Sequence, residues 1–178
     1  MTLIVCPLYE VEAQLARHRP ARMISLLSPG RKPPAPPVGL PRLVLRFHDI
    51  AEPAPGLIAP DRAMMQALLD FAAAWTEPGP LLAHCWMGIS RSTAAAMIIA
   101  CAVDPVRDEG GIARMLRQAS PAATPNPLMA ALGDELLGRE GRLTAAVAAI
   151  GRGQEADCGL PFQFAARPGR QPWAGAET

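Results

Sequence analysis

At 178 residues the chain is long enough to bury a hydrophobic core in one domain without disulfides or metals, and too short for two full domains. The net charge is +1 and the basic residues are scattered singly, which argues against nucleic acid or an anionic membrane as a partner. The four cysteines lack CxxC spacing, so neither a zinc site nor a disulfide scaffold is expected. We therefore expect no metal ion and no cofactor.

No apolar run of the sequence approaches the ~20 residues that a membrane-spanning helix needs. The apolar start at residues 2–8 has no basic segment before it and is interrupted by Cys6 and Pro7, so a secretory signal is not expected. The sequence therefore predicts a cytoplasmic protein, and reduced thiols suit that compartment.

Short apolar runs alternate with helix-forming segments along the first half of the chain. Strands are predicted at residues 2–8, 22–27, 43–47 and 81–84. Helices are predicted at residues 10–19, 60–75, 92–103, 112–118, 127–137 and 143–150. Prolines and glycines between residues 28 and 41 favour an exposed loop there.

This order of elements predicts an α/β fold, with a central, mostly parallel sheet of about four to five strands, flanking helices and a helical C-terminal half. We expect one domain over residues 1–150. The tail at residues 151–178 has isolated aromatic residues without periodicity, and it is expected to be loosely ordered or docked on the surface. Those aromatic residues are Phe162, Phe164 and Trp173.

One segment, His-Cys-Trp-Met-Gly-Ile-Ser-Arg-Ser at residues 84–92, places Cys85 and Arg91 at the two ends of a turn between a buried strand and a buried helix. Inward backbone N–H groups and the helix N-terminus present a positive potential to phosphate oxygens. Gly88 allows the backbone angles that such a turn requires. The guanidinium of Arg91 holds two phosphoryl oxygens, and the same field favours the thiolate of Cys85, the form that attacks phosphorus.

The other residues of this segment are assigned supporting roles. We expect His84 to fix the turn through hydrogen bonds of its ring. The backbone of the intervening residues is expected to bind the phosphate together with Arg91. These residues are Trp86, Met87, Gly88, Ile89 and Ser90.

The segment resembles the signature of the protein tyrosine phosphatases, His-Cys, five residues, Arg, then Ser or Thr, and the run GISRSTAAA is similar to the loop and helix of their dual-specificity branch. The resemblance covers residues 43–137. It implies the cysteine-phosphatase fold and a phosphocysteine intermediate at Cys85, hydrolysed in a second step without a metal. The implied substrate is a phosphorylated protein or a small phosphomonoester.

The resemblance also implies an aspartic acid, upstream of the cysteine, that protonates the leaving oxygen and then activates water. Asp49 directly follows a predicted strand, as the family's acid does, but it lies 36 residues before Cys85, a longer spacing than usual. Glu52 has a more usual spacing and a poorer context. Asp61 is better explained as a helix-start residue, and Asp49 as an ordinary turn residue remains a rival interpretation.

Two further residues match the family pattern. Ser92 resembles the hydroxyl that eases departure of the thiolate in the second step. Asn126 resembles an asparagine that braces the phosphate-binding turn, although a Pro-Asn-Pro turn requires no such role. Because the turn contains Trp86, Met87 and Ile89 rather than lysines, multiply charged inositol lipids are not expected as substrates.

Two other functions remain open at this stage. A phosphate-recognition module that has lost turnover would keep the same turn, and the long spacing of Asp49 is the feature that favours it. Another thiolate enzyme, such as an arsenate reductase or a sulfurtransferase, fits less well. Reductases of that type carry their cysteine near the N-terminus, and sulfurtransferase loops lack this His and trailing Ser.

Overall fold

The structure is a computed structural model that describes residues 1–167. Short apolar segments form its centre. Within these residues five strands make one sheet, in the order β3-β2-β4-β1-β5. Strands β1 to β4 are parallel and β5 is antiparallel to β1. The strands are β1 (Thr2–Pro7), β2 (Arg22–Leu27), β3 (Arg42–Arg46), β4 (Leu81–Cys85) and β5 (Phe162–Ala165). The predicted α/β fold with a mostly parallel central sheet is confirmed.

Six α-helices surround the sheet in the described part of the chain, and all six were predicted to within a few residues. They are α1 (Val11–His18), α2 (Arg62–Ala73), α3 (Arg91–Val103), α4 (Glu109–Ala119), α5 (Pro127–Leu136) and α6 (Arg142–Ile150). Asp61 caps α2 by accepting a hydrogen bond from the Met64 N–H at 2.8 Å, which confirms it as a helix-start residue. Among residues 1–167 no helix is long and apolar enough to cross a bilayer.

The two faces of the sheet are covered unequally. A small apolar cluster against α1 covers one face; it comprises Ile4, Cys6, Val11, Leu15, Met23 and Leu82. The main core lies on the other face, where α3 packs against the sheet and against α2, α4 and α5. Every residue of α3 from Arg91 to Cys101 is buried, as its apolar sequence on all sides predicts.

The parallel strands bring three loops together at one edge of the sheet. The chain leaves β2 at Leu27, β3 at Arg46 and β4 at Cys85, and carboxyl ends of parallel strands meet at the same edge. The first turn of α3 begins at this edge, immediately beyond β4. The residues that follow the three strands therefore surround the N-terminus of α3.

Strand β5 was not predicted from the sequence. Its four residues pair with Thr2–Val5 of β1 and bury Phe164, so part of the predicted tail belongs to the sheet. A four-residue edge strand beside a proline has too little pattern to be recognised from sequence. The domain boundary at residue 150 stays a prediction, and Trp173 lies outside the described residues.

A close contact between α3 and α5 yields the first testable prediction. A Cβ added at Gly133 of α5 would lie 2.7 Å from Cγ1 and 2.9 Å from Cδ1 of Ile98 in α3. Alanine in place of a helical glycine normally adds about 1 kcal/mol of stability. Here the clash should outweigh that gain, because overpacking costs about 1–3 kcal/mol. We expect Gly133→Ala to lower the free energy of unfolding in urea titrations.

The matched control removes the clash. In an Ile98→Ala background, Gly133→Ala should raise the free energy of unfolding, because the side-chain atoms that it would strike are gone. A Gly133→Ala protein more stable than the parent would contradict this description of the helix contact.

Candidate active site

The turn between β4 and α3, residues 85–91, is held in one conformation by a glycine and by strand β1; we call it the phosphate loop. Gly88 has φ +69°, and a Cβ at this position would lie 2.7 Å from the backbone nitrogen of Pro7. Only glycine fits such an approach. The Leu8 N–H donates to the Trp86 carbonyl at 3.2 Å and fixes the loop to the end of β1.

The sulfur of Cys85 contacts one N–H group of this loop and one hydroxyl of α3. The Gly88 N–H donates to Sγ at 3.2 Å, and the Ser92 Oγ lies 3.2 Å from the same atom. Cys85 is 1% exposed. The structure thus brings together the predicted nucleophile, the predicted glycine and the predicted hydroxyl.

The other cysteines are held as thiols. Burial raises the pKa of Cys6 to about 12 and that of Cys101 to about 11. Burial and the neighbouring Cys85 also raise the pKa of Cys158. A raised pKa keeps a thiol protonated at neutral pH and therefore weakly reactive. The raised pKa values are consistent with the inert role that the sequence predicts for these three residues.

Arg91 is 3% exposed, and the protein holds one edge of its guanidinium. Nη1 donates to the Phe47 carbonyl at 3.0 Å and to the Ser28 Oγ at 3.2 Å. The buried Nε has no hydrogen-bond partner in the described part of the chain, and it lies 3.6 Å from Oδ2 of Asp49. One edge of the guanidinium is therefore fixed, while the Nε–H donor remains available to an anion.

Asp49 reaches the same site from the end of β3. Its Oδ1 accepts hydrogen bonds from the Ser90 Oγ at 2.7 Å and from the Asn126 Nδ2 at 2.8 Å, and its side chain is 33% exposed. Glu52 is exposed, and within residues 1–167 its side chain makes no hydrogen bond or ion pair. Of the two candidate acids, the structure places Asp49 beside Arg91.

Asn126 has a different connection from the predicted one. Its side chain donates to Asp49 and, at 3.1 Å, to the Ile50 carbonyl, while its Oδ1 caps α5 through the Met129 N–H. It therefore braces the loop that carries Asp49. Its contact with the phosphate loop is through its backbone N–H, 3.4 Å from the Ser90 carbonyl.

The ring of His84 bonds to a neighbouring strand. Its Nε2 lies 2.7 Å from the Ser25 Oγ in β2, and Nδ1 has no hydrogen-bond partner among residues 1–167. Burial lowers the pKa of His84 to about 4, so the ring is neutral at neutral pH. The ring bond ties β4 to β2.

Sequence reasoning missed three contacts of the phosphate loop. Ser28, whose hydroxyl accepts a hydrogen bond from Arg91, directly follows β2. Its position at a strand end, like that of Asp49, could have predicted its place near the loop. Arg31 places its guanidinium 4.2 Å from the centre of the Trp86 ring, and Gly159 donates its N–H to the Met87 carbonyl at 2.8 Å. The composition of the surrounding segments gave no sign of these last two.

Two cavities flank the phosphate loop. One, of about 280 Å³, is lined by Arg31, Asp49, Trp86 and Arg91 among others. The other, of about 760 Å³, is lined by Asp49, Met87 and Ser90 on one side and by residues of the segment 152–157 on the other. In the described residues no three His, Cys, Asp or Glu side chains are grouped so that they could hold a metal ion. Around the loop the described residues present backbone N–H groups, a guanidinium and a thiol.

Comparison with known proteins gives matches only at the level of structure. Neither a protein-family model nor a curated protein matches this sequence. The solved structure of DUSP15 is similar, with a TM-score of 0.60 and 20% identity over 83% of this chain and 90% of that chain. Human DUSP28 is similar with a TM-score of 0.59 and 20% identity, over 78% of this chain and 92% of that chain.

The Yvh1 phosphatase domain from Chaetomium thermophilum is a third similar structure, with a TM-score of 0.57 and 16% identity over 79% of this chain and 93% of that chain. Each of the three structures is matched over nearly its whole length. The chain therefore has the fold of the dual-specificity branch of the protein tyrosine phosphatases.

Proposed function

We propose that this protein is a cysteine-dependent phosphomonoesterase of the protein tyrosine and dual-specificity type, which acts through a phosphocysteine intermediate. The observation that carries the proposal is the arrangement at Cys85. Its sulfur lies at the base of the phosphate loop, with donors from Gly88 and Ser92, beside a buried guanidinium that has a free donor. Such an arrangement suits a phosphoryl group and a sulfur nucleophile.

In the first step the thiolate of Cys85 forms a bond to phosphorus while the bond from phosphorus to the ester oxygen breaks. Arg91 and the backbone N–H groups of the phosphate loop stabilise the charge on the three remaining phosphoryl oxygens. The leaving oxygen takes a proton from Asp49. Oδ1 of this carboxyl accepts hydrogen bonds from Ser90 and Asn126, and Oδ2 lies 3.6 Å from Nε of Arg91, so Asp49 is held at the site.

In the second step water attacks the phosphocysteine. The Asp49 carboxylate takes a proton from the water, an oxygen–phosphorus bond forms, and the sulfur–phosphorus bond breaks. The departing thiolate accepts a hydrogen bond from the Ser92 hydroxyl, which lies 3.2 Å from Sγ in the structure. Inorganic phosphate leaves and the thiolate is regenerated.

The expected substrates are phosphoproteins and small phosphomonoesters. One similar structure, that of PTPMT1 in complex with PI(5)P, holds a phosphomonoester of this kind. Phosphotyrosine and aryl phosphates are the first substrates to test, because the motif resembles that of the tyrosine and dual-specificity enzymes. The proposed reaction needs no cofactor.

A phosphate-binding module without turnover is the alternative function. The contacts of Asp49 favour it, because this carboxylate already accepts hydrogen bonds from Ser90 and Asn126 and faces the guanidinium of Arg91. A general acid has to reach the leaving oxygen of the substrate. The two functions differ in turnover and agree in anion binding.

The direct test of turnover uses p-nitrophenyl phosphate. Cys85→Ser should lower kcat by roughly 10³-fold or more, because the nucleophile is removed while the loop is kept. Cys101→Ser is the matched control, since this buried cysteine lies in α3 outside the site, and it should keep the parent rate. A Cys85→Ser protein with the parent rate would refute the proposal, and a parent protein that binds phosphate without turnover would support the alternative.

The general acid is identified by the pH dependence of kcat. Asp49→Asn should abolish the fall of activity at alkaline pH and lower kcat by about 10²-fold or more, because the leaving oxygen is no longer protonated. The loss should be larger for phenyl phosphate than for p-nitrophenyl phosphate, whose leaving group needs less help. Glu52→Gln should leave the profile unchanged. If Glu52→Gln alone removes the alkaline limb, the assignment of Asp49 is wrong.

A further inference from the structure

Arg31 lies beside the phosphate loop, with its guanidinium over the ring of Trp86. It belongs to the proline-rich loop, residues 28–41, which begins at Ser28, the hydroxyl that contacts Arg91. With Arg91, Asp49 and Trp86 it lines the cavity of about 280 Å³. A second guanidinium therefore borders the cavity that contains the proposed phosphate-binding arginine.

The structure holds Arg31 in position at its backbone and at its side chain. Its N–H donates to the Ser28 carbonyl at 3.2 Å, and its carbonyl accepts a hydrogen bond from Nη1 of Arg46 in β3 at 2.7 Å. Its guanidinium lies over the Trp86 ring, 4.2 Å from the ring centre. Less conformational entropy is lost on binding when a side chain is already held in place.

The donors of this guanidinium are not used by the protein. Within residues 1–167 the Arg31 side chain makes no hydrogen bond and no ion pair, although it is stacked on Trp86. Stacking covers one face of the guanidinium and leaves the N–H groups at its edge free. Arg31 can therefore offer a bidentate contact to a phosphate or a carboxylate.

The charges around the phosphate loop give this contact a direction. Among the described residues that line the smaller cavity, Asp49 is the one carboxylate, and it is already bonded to Ser90 and Asn126. The larger cavity on the other flank carries the carboxylates of Glu155 and Asp157 along with the guanidinium of Arg152. A substrate with a second negative charge is favoured toward Arg31 and disfavoured toward Glu155 and Asp157.

We propose that Arg31, stacked on Trp86, forms a second anion subsite, so that preferred substrates carry another anionic group beside the phosphate that is hydrolysed. This inference rests on the proposed function and names its substrate class. From the sequence, multiply charged inositol lipids were not expected as substrates, because the phosphate loop contains no lysine. The cation comes instead from a loop that follows a different strand, which no motif in the phosphate loop reveals.

The test compares matched substrate pairs that differ by one anionic group. One pair is a phosphotyrosine peptide with an aspartate beside the phosphotyrosine and the same peptide with alanine there. The other is a vicinal inositol bisphosphate and the corresponding monophosphate. The readout is the ratio of kcat/KM values within each pair, which cancels general effects on folding and catalysis. A preference in one pair alone identifies the source of the second anion.

We expect the parent protein to prefer the doubly anionic member of at least one pair. Arg31→Ala should lower that ratio about fivefold, the equivalent of about 1 kcal/mol for a contact near solvent. The change should lie in KM, because a remote contact of this kind stabilises substrate and transition state alike. Arg31→Glu should reverse the preference, and raised ionic strength should weaken it. Lys32→Ala, the same charge one residue on and outside the cavity, should leave the ratio at its parent value.

Binding to the Cys85→Ser protein separates this inference from the proposed function. Calorimetry with the same pairs should show the Arg31-dependent preference whether or not the parent protein turns them over. If the parent protein shows no turnover but the Arg31-dependent binding preference is retained, the proposed enzyme activity is rejected and the subsite is supported. Equal ratios in the parent, Arg31→Ala and Lys32→Ala proteins, in both turnover and binding, would overturn the subsite.

Discussion

Burial of the Arg91 guanidinium is the constraint on which the site depends. A permanent charge that is 3% exposed has to be met by acceptors, because an uncompensated buried charge is very costly. The Phe47 carbonyl and the Ser28 hydroxyl accept hydrogen bonds from it, and the Asp49 carboxylate forms an ion pair with it at 3.6 Å. They lie at the ends of β2 and β3, so one side chain at the start of α3 ties together the loops that follow three parallel strands.

In this arrangement one buried donor of the site has no hydrogen-bond acceptor within residues 1–167. Among residues 1–167 the buried Nε–H of Arg91 has no hydrogen-bond partner, and the sulfur of Cys85 contacts the Gly88 N–H and the Ser92 Oγ. Helix α3 adds the positive end of its dipole to these donors. In the proposed reaction a phosphoryl group accepts hydrogen bonds from these donors, and the guanidinium stabilises its negative charge. The neutral ring of His84 contributes to the sheet and adds no charge to the site.

Local patterns in the sequence were sufficient for most of the fold and for the centre of the site. The apolar runs of β1, β2 and β4 and the apolar α3 are strong signals of strand and helix. Cys85, Gly88, Arg91 and Ser92 lie within eight consecutive residues, so their proximity follows from one turn. Contacts between distant segments were not predictable in the same way. The bonds from Ser90 and Asn126 to Asp49, the pairing of β5 with β1 and the stacking of Arg31 on Trp86 each join segments whose approach is set by packing.

The central proposal is that the phosphate loop makes Cys85 a reactive nucleophile, whereas burial keeps Cys6 and Cys101 protonated. Alkylation by iodoacetate at neutral pH, mapped by peptide mass spectrometry, measures this directly. Cys6 and Cys101, with pKa values raised by burial to about 12 and about 11, are internal references in the same molecule. The account predicts selective modification of Cys85 and protection of it by inorganic phosphate. Modification of Cys85 no faster than that of the references, or with no protection by phosphate, would contradict it.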